Sequence, residues 1–595
     1  MNADPEAGPP AKLSRPKSIF YRITSLPPPP PPPKDEGYRP NTPLSRQNTA
    51  SRPNTANTRP NTATTRRFSR STTASTQRTI KYATWGRFKG IELSPQPSDD
   101  PEDPLNWPQW KKELNFAALL LTTALASATK SVFIPVNAQL ASRYDVPYAS
   151  ATALTAVPLV VSAFAGLACV TVAKVWGKRP VYLVSVALLF IGSMWGMRTL
   201  GSFREGMASR VFQGLGWGAF DTLVLASIYD TYFEHERGLR ITMYNVVSAA
   251  VTLGAPLLGG LASQRAGRFT LQFEIINAFF AVALPLMAFG TAETTFDHAW
   301  SISLQTPSTA NRFQQPSLIP RGPLRISREQ LMDYLRSIPP WKYKGSMDKH
   351  TLFQAPRALA APTTMLVFGA SFLPYGGLWA FAGILSLLFP ELPESSVGSL
   401  MAGPFVLSTL VLTASRLYKP YAANFNKTTN LATLAAGTTF SLAGILSFGL
   451  LTSRSLLSDS PFNYPLLSFL LALLAAGSTA LDATGPPLIY NSSQYTSSNL
   501  YSCLRNVADM TAGATALRAL FAGIILQAVA VAVEASEDAL ATHAVGIAGG
   551  QALAVVCSAG VWVVFGERVR RWDGRVMGLV DLSILKGNAS FFEYD

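Results

Sequence analysis

The sequence predicts an all-α membrane protein of twelve transmembrane helices in two six-helix bundles. Three observations carry that expectation. Hydrophobic residues make up 48% of the 595 and charged residues only 14%, well under the roughly 25% of soluble domains. The hydrophobic residues gather in runs of about 20, the length that crosses a bilayer's hydrocarbon core. A polar, basic stretch from Thr291 to about Ala361 divides these runs six and six, as in membrane proteins assembled from repeated bundles.

Net charge is +15, and its placement argues against a nucleic-acid partner. Residues 1–80 hold thirteen Lys/Arg and four Asp/Glu, a net +9 (13 − 4). Most of the remaining excess falls in loops between apolar runs, the positive-inside signature. Cys169, Cys503 and Cys557 lie in or beside apolar runs, so no disulfide framework is implied. No apolar run opens the chain, and the first span is expected to act as its own targeting signal.

In chain order, residues 1–96 are expected to form a disordered, basic, Pro/Ser/Thr-rich tail, low-complexity to about Gln77. It carries a proline run, Pro27 to Pro33, and Arg-Pro-Asn-Thr at Arg39, Arg52 and Arg59. Such a segment buries too little apolar surface to offset its ordering entropy. Arg66-Arg67-Phe68-Ser69 has the form of a basic-directed kinase site. Trp107 and Trp110, beside Lys111 and Lys112, suit the interface ahead of a first span. Six helices are then expected: Glu113–Pro135, Tyr148–Ala173, Pro180–Leu200, Met207–Ile228, Arg240–Ala262 and Phe269–Gly290. The central loop, residues 291–361, has a short helical pattern around Ser327–Ser337, with Leu331 and Leu335 four apart. Six more helices follow: Pro362–Phe389, Val397–Ser415, Leu431–Leu451, Tyr464–Pro487, Val507–Val533 and Leu540–Phe565; residues 566–595 form a second tail.

Lys174, Lys178, Arg179, Arg237, Arg240, Arg416, Lys419, Lys427, Arg568, Arg570 and Arg571 all fall on one side with both tails. The positive-inside rule makes that side cytoplasmic, although Arg143, Arg204 and Arg265 fall on the other. The glycosylation patterns at Asn426, Asn491 and Asn588 lie on the cytoplasmic side and are expected to carry no sugar.

Several motifs fix a resemblance. Arg210-x-x-Gln213-Gly214-x-Gly216 resembles the fourth-helix motif of the major facilitator superfamily. Gly254-x-Pro256-x-x-Gly259-Gly260 resembles the fifth-helix motif of its drug:proton antiporter branch, with Ala255 where glycine is usual. Lys174-Val-Trp-Gly177-Lys178-Arg179-Pro180 resembles the loop between helices two and three, with Lys174 in the place of an acid. His235-Glu236-Arg237-Gly238, Glu293-Thr294-Thr295-Phe296 and Asp103-Pro104-Leu105-Asn106-Trp107 are similar to segments of fungal members. The resemblance spans roughly Pro97 to Trp572. It implies the major facilitator fold, a plasma-membrane location and proton-coupled movement of a small organic molecule, such as drug or toxin export. Uptake of a nutrient or polyamine, and a transport-inactive receptor of the same fold, are the alternatives. A monomer in a lipid bilayer is expected, with a small-molecule substrate and protons as partners and no cofactor.

Charges inside apolar spans point to a pathway. Arg210 and Asp221 share one face of the fourth helix with Gly214, Trp217 and Gly218, about 16 Å apart along the axis. They cannot pair, so each needs another partner or a cavity; a transport or coupling role is expected for Arg210, Asp221 and Asp482. Gln213, Gly214, Gly216, Gly254, Pro256, Gly259 and Gly260 are read as packing and gating positions. Lys174, Gly177, Lys178, Arg179, Glu236, Arg237 and Gly238 form the inner loop motifs, as gate or as anchor. Lys130 either snorkels to the outer interface or meets substrate. Asp482 precedes Gly485-Pro486-Pro487, where the tenth helix is expected to break. Arg505 and Asp509 are spaced to pair, and Arg518 shows no local partner. Tyr375, Trp379 and Phe381 offer either stacking surfaces or core. No phosphate loop occurs, which disfavours ATP-driven transport within this chain. The four histidines are scattered, so no metal site and no enzyme is expected.

Overall fold

In the computed structural model the described residues are 81–83, 90–98, 100, 102–199, 201–266, 268, 270–296, 332, 349–418, 427–458, 461–496, 500–536 and 538–578. The low-complexity tail, the helical pattern at Ser327–Ser337 apart from Met332, and Asn426 and Asn588 lie outside them.

Among the described residues, twelve helices are long and apolar enough to cross a membrane. We label them α1 (Gln109–Tyr144), α2 (Tyr148–Trp176), α3 (Lys178–Gly196), α4 (Phe203–Thr231), α5 (Glu234–Arg265) and α6 (Leu271–Gly290) in the first half. The second half holds α7 (Pro362–Gly383), α8 (Glu394–Ser415), α9 (Lys427–Leu457), α10 (Tyr464–Gln494), α11 (Leu500–Ala535) and α12 (Ala539–Met577). Two faces follow from the connections. The basic face carries the links α2–α3, α4–α5, α8–α9 and α10–α11 together with the end of α6 and the start of α7; the far face carries the links α1–α2, α3–α4, α5–α6, α7–α8, α9–α10 and α11–α12.

Helix ends follow local chemistry. α4 starts four residues before its apolar run because the Ser202 hydroxyl accepts the Glu205 N–H, closing its N-terminus. The expected charged loop between the fourth and fifth helices shrinks to Tyr232 and Phe233. Glu234 and Glu236 stand in the first turn of α5, where acids suit the helix dipole, so Glu236, Arg237 and Gly238 are helical. α10 breaks at Ala483 and Thr484. Pro486 and Pro487 lack N–H donors and clash with carbonyls one turn earlier, so the chain restarts there as a new helix.

Helix ends shift by several residues, as at Tyr144 of α1 and Leu500 of α11, and three further segments differ from expectation. Lys349–Ala360 is a helix, within what the sequence presents as loop; Ala355 and Ala358 on it are buried. α12 does not stop at Phe565 but continues to Met577. Order also begins before residue 97: Tyr82 bridges Glu92, and Ala83 and Leu93 bury against Leu105 and Phe233.

Close backbone approach holds each half together. A methyl group on Gly214 would stand 2.7 Å from the Pro158 carbonyl oxygen of α2, and one on Gly216 would stand 2.7 Å from the Ser185 oxygen of α3. In lipid, where burial of apolar surface gives no drive, such contacts supply the packing energy. The halves meet along two seams. One is α2 on α11, where a methyl on Gly523 would lie 2.6 Å from the Ala156 oxygen; the other is α5 on α8, with Gly398 similarly 2.5 Å from the Pro256 oxygen.

Candidate functional site

Between the halves lies a cavity of ≈ 700 Å³. Its first-half wall includes Lys130, Asp221, Tyr229, Tyr244 and Ser248, and its second-half wall includes Tyr375, Trp379, Asp482, Tyr490 and Arg518. Each half contributes one ion pair. Lys130 Nζ lies 2.5 Å from Asp221 Oδ1 and 2.7 Å from Oδ2, with side chains 9% and 19% exposed. Arg518 donates to Asp482 Oδ1, and its guanidinium stands 5.3 Å from the centre of the Tyr375 ring. Asp482 reaches the cavity because it ends the first segment of the broken α10.

The pairs line one cavity from opposite halves. Tyr244, also in the lining, donates its hydroxyl proton to the Phe220 carbonyl at 3.1 Å. Lining cations Lys130, Arg237 and Arg518 match lining acids Asp221, Glu234 and Asp482 three to three, with His235 taken as neutral. The cavity is therefore formally neutral. An unpaired charge there is costly, so any occupant that displaces one partner must replace its charge.

Arg210 does not reach this cavity. It is fully buried and serves as a bolt between helices. Nε donates to the Leu154 carbonyl at 2.8 Å, and Nη1 donates to the Thr129 carbonyl at 2.8 Å and to Gln213 Oε1 at 2.5 Å. Its guanidinium lies 4.4 Å from the Phe133 ring centre and 5.0 Å from that of Trp217. Carbonyls and aromatic faces together make burial of this charge tolerable. Trp217 Nε1 donates to Thr129 Oγ1 at 2.9 Å. Arg210 and Trp217 thus hold α1 at the residue before Lys130, and Lys130 is the partner that Asp221 needs. Lys130 is buried, not snorkelling.

The far face is closed across the seam. Glu534 of α11 accepts the N–H groups of Tyr148 and Ala149 at the start of α2, both at 2.8 Å. The Gly383 carbonyl accepts from Tyr148 Oη at 2.7 Å and from Asn137 Nδ2 at 3.1 Å. Gln139 bonds Glu394. Three of the four fifth-helix motif positions belong to this closure. Gly254 faces the Phe405 ring, Pro256 meets Gly398, and Gly260 meets the Glu394 carbonyl. Gly259 turns the other way, to the Gln272 side chain of α6.

Toward the basic face the cavity lining continues to Glu234, His235, Arg237, Gly238 and Ser415. Beside it, Lys174 Nζ reaches Asp509 Oδ2 at 2.6 Å and links the end of α2 to α11. Lys174 thus has a charge partner in the other half, and Asp509 takes it in preference to Arg505, which donates to Gln354 at 3.3 Å. Gly177 alone joins α2 to α3 at φ 90°, a left-handed conformation that side chains resist. There the Glu293 carboxylate accepts the N–H groups of Lys178 at 2.9 Å and Arg179 at 3.0 Å. Lys178 pairs with Asp230, and Arg179 Nη2 donates to the Ala288 carbonyl at 2.8 Å. Arg237 Nη2 donates to the carbonyls of Tyr229 and Tyr232, both at 3.0 Å. Glu236 Oε1 stands 3.9 Å from His235. The Gly238 carbonyl accepts from Thr242 at 2.9 Å.

Of the aromatic candidates on α7, Tyr375 and Trp379 line the cavity. Phe381 packs on Phe448, ring centres 5.2 Å apart, in the core. Sequence alone does not identify the two ion pairs. Their signal was present as two lone cations and two lone acids on four different helices, each costly without a partner.

The family model described as Major Facilitator Superfamily matches residues 119–516. An uncharacterized MFS-type transporter of Schizosaccharomyces pombe is 32% identical over 226 residues, 37% of this chain and 38% of that protein. Protein HOL1 of Saccharomyces cerevisiae is 26% identical over 224 residues, 37% of each chain. The major facilitator superfamily multidrug transporter FLU1 of Candida albicans is 26% identical over 163 residues, 27% of this chain and 26% of that protein. The matches span well under half the length of each relative.

Proposed function

This chain belongs to the major facilitator superfamily and is an integral membrane protein, and from that premise we propose that it is a secondary carrier exporting a small organic molecule in exchange for protons. The observation that carries this reading is the neutral cavity between the halves, with one titratable acid from each half in an ion pair. A far face closed by hydrogen bonds and a lining that runs to the basic face, with the Lys174–Asp509 pair still linking the halves beside it, match a partly closed state of alternating access. On this reading the basic face is cytoplasmic, the membrane is the plasma membrane, and substrate loads from inside.

Asp221 and Asp482 are the proposed coupling residues. A proton on Asp221 ends its pairing with Lys130, and a proton on Asp482 ends its pairing with Arg518. Either event leaves a buried cation seeking a new partner, which biases the cavity toward another packing. Arg210 stays protonated at cellular pH and positions Lys130 through α1. Lys174 and Asp509 act as a latch at the basic face. Gly254, Pro256 and Gly260 act as the far-face closure.

Charge balance supports neutral or zwitterionic substrates over polyamines, because a polycation adds positive charge to a lining that is already matched and, where it takes Asp221 or Asp482, leaves Lys130 or Arg518 buried without a partner. Polyamine uptake is thereby the weaker reading, and uptake of a neutral or zwitterionic nutrient differs from export only in the direction of flux. A transport-inactive receptor is separated by experiment. Purified protein in proteoliposomes is offered labelled neutral, zwitterionic and polycationic compounds, including spermidine, from either side, with and without a pH gradient. Export driven by the gradient supports the proposal. Spermidine uptake supports the alternative, and binding without flux supports the receptor.

A further inference from the structure

The extension of α12 has two unlike sides. The helix runs unbroken from Ala539 to Phe565, where the backbone leaves helical angles (φ −114°, ψ 16°), then continues to Met577. The first part measures about 40 Å at 1.5 Å per residue, more than the roughly 30 Å of hydrocarbon it must cross. Residues 566–577 therefore stand at headgroup level on the basic face.

One side of this segment is fixed to the protein. Val569, Asp573, Gly574 and Met577 are buried. The Asp573 carboxylate accepts from Thr363 N at 2.9 Å, from Thr363 Oγ1 and from Ser492 Oγ at 2.6 Å. Arg570 Nη1 donates to Asn491 Oδ1 at 3.3 Å. These bonds tie the segment to the first turn of α7 and to the second segment of α10, whose Tyr490 and Ile489 line the cavity.

The other side is exposed. Arg568, Arg571, Trp572 and Arg575 follow the spacing i, i+3, i+4, i+7 that puts residues on one helical stripe. Trp572 is 55% exposed, with the Arg575 guanidinium 5.5 Å from its ring centre, so an aromatic face and a cation sit together on the stripe. Against the three arginines the stripe's only acid is Glu567, 3.9 Å from Arg571 in an exposed pair, a contact of little energy. Arginine forks match phosphate oxygens, and tryptophan favours the bilayer interface.

We propose that this stripe binds anionic phospholipid headgroups of the leaflet at the basic face, and that the bound lipid steadies the second half through Asp573. The level of the segment, its continuity with a spanning helix and the exposed Trp572 favour lipid over an acidic soluble partner. The test compares the full chain with an Arg568→Gln, Arg571→Gln, Arg575→Gln variant in nanodiscs of phosphatidylcholine with 0 to about 30% phosphatidylserine. Melting temperature and the lipid retained on gentle detergent extraction are the readouts. The unchanged chain should retain phosphatidylserine and melt higher as its fraction rises. The variant should melt at the same temperature in pure phosphatidylcholine, which shows that it folds. It should lose up to about a hundredfold of the preference for phosphatidylserine, since each arginine near a charged surface accounts for about a fivefold effect. A full chain indifferent to phosphatidylserine, or a variant with an undiminished preference, overturns the proposal. An Arg204→Gln, Arg265→Gln variant on the far face should keep the full preference, and loss there would show that total charge, not the stripe, is responsible.

Discussion

Consider replacing Lys130 with methionine, which keeps the length of the side chain and removes its charge. The partner, Asp221, then sits in the cavity wall at 19% exposure with nothing opposite it. Two unit charges about 3 Å apart attract by about 5 kcal/mol at an effective dielectric constant of 20. Desolvation offsets part of this attraction. Removing one partner of a buried pair nevertheless costs about 3–5 kcal/mol, because the survivor keeps its desolvation penalty. Asp221→Asn strands Lys130 in the same way. The two changes together leave two neutral groups of similar shape, so the double variant should recover most of the loss. At roughly 2–4 °C per kcal/mol for a folding unit of 150–250 residues, each single variant should melt on the order of 10 °C lower. The double should return to within a few degrees of the unchanged protein. Tryptophan-fluorescence melting in one detergent, read as a double-mutant cycle, gives the coupling energy. Losses that add to within about 0.5 kcal/mol would show that the two residues do not interact, and the cavity as described would be wrong.

Two further substitutions test the two faces. Gly260→Leu places a side chain against the Glu394 backbone, so it should hold the far face open and cut net flux at least tenfold, measured with labelled compounds in proteoliposomes. Gly259→Leu meets only the Gln272 side chain and should retain much more activity; the reverse order would mean that the α5–α8 seam is misplaced. At the basic face, Lys174→Asp or Asp509→Lys alone should set like charges together and slow the cycle, while the swapped pair should restore much of the flux. Failure of the double swap to rescue either single variant would make the contact incidental to transport.

The spanning helices were legible because burial in lipid imposes one crude rule, about 20 apolar residues per crossing. The break in α10 was legible for an equally local reason, the prolines at Pro486 and Pro487. What the sequence hid was rotation and neighbour identity. Asp221 and Arg210 share a helical face, yet one meets the cavity and the other meets backbone carbonyls of α1 and α2. Nothing along α4 distinguishes them; the register of α1 beside it does. Lys130 near the end of its span looked suited to snorkelling, and only the placement of α4 shows its partner. Arg505 and Asp509 were spaced to pair along one helix, but Lys174 arrives from the other half and takes the carboxylate. The helix at Lys349–Ala360 and the extension of α12 were missed because both are short and charged. Their buried positions, such as Val569, Asp573 and Met577 four apart, signal a packed face only once a surface exists to receive it.

Proton coupling through the cavity acids is tested most directly by flux against an imposed pH gradient, with the unchanged protein, Asp221→Asn and Asp482→Asn in matched proteoliposomes. The unchanged protein should concentrate a labelled substrate only while the gradient lasts. Asp221→Asn should still exchange labelled for unlabelled substrate but should no longer concentrate it. If Asp221→Asn, Asp482→Asn and a variant carrying both changes, assayed alongside them, all concentrate substrate with the pH dependence of the unchanged protein, the account is contradicted.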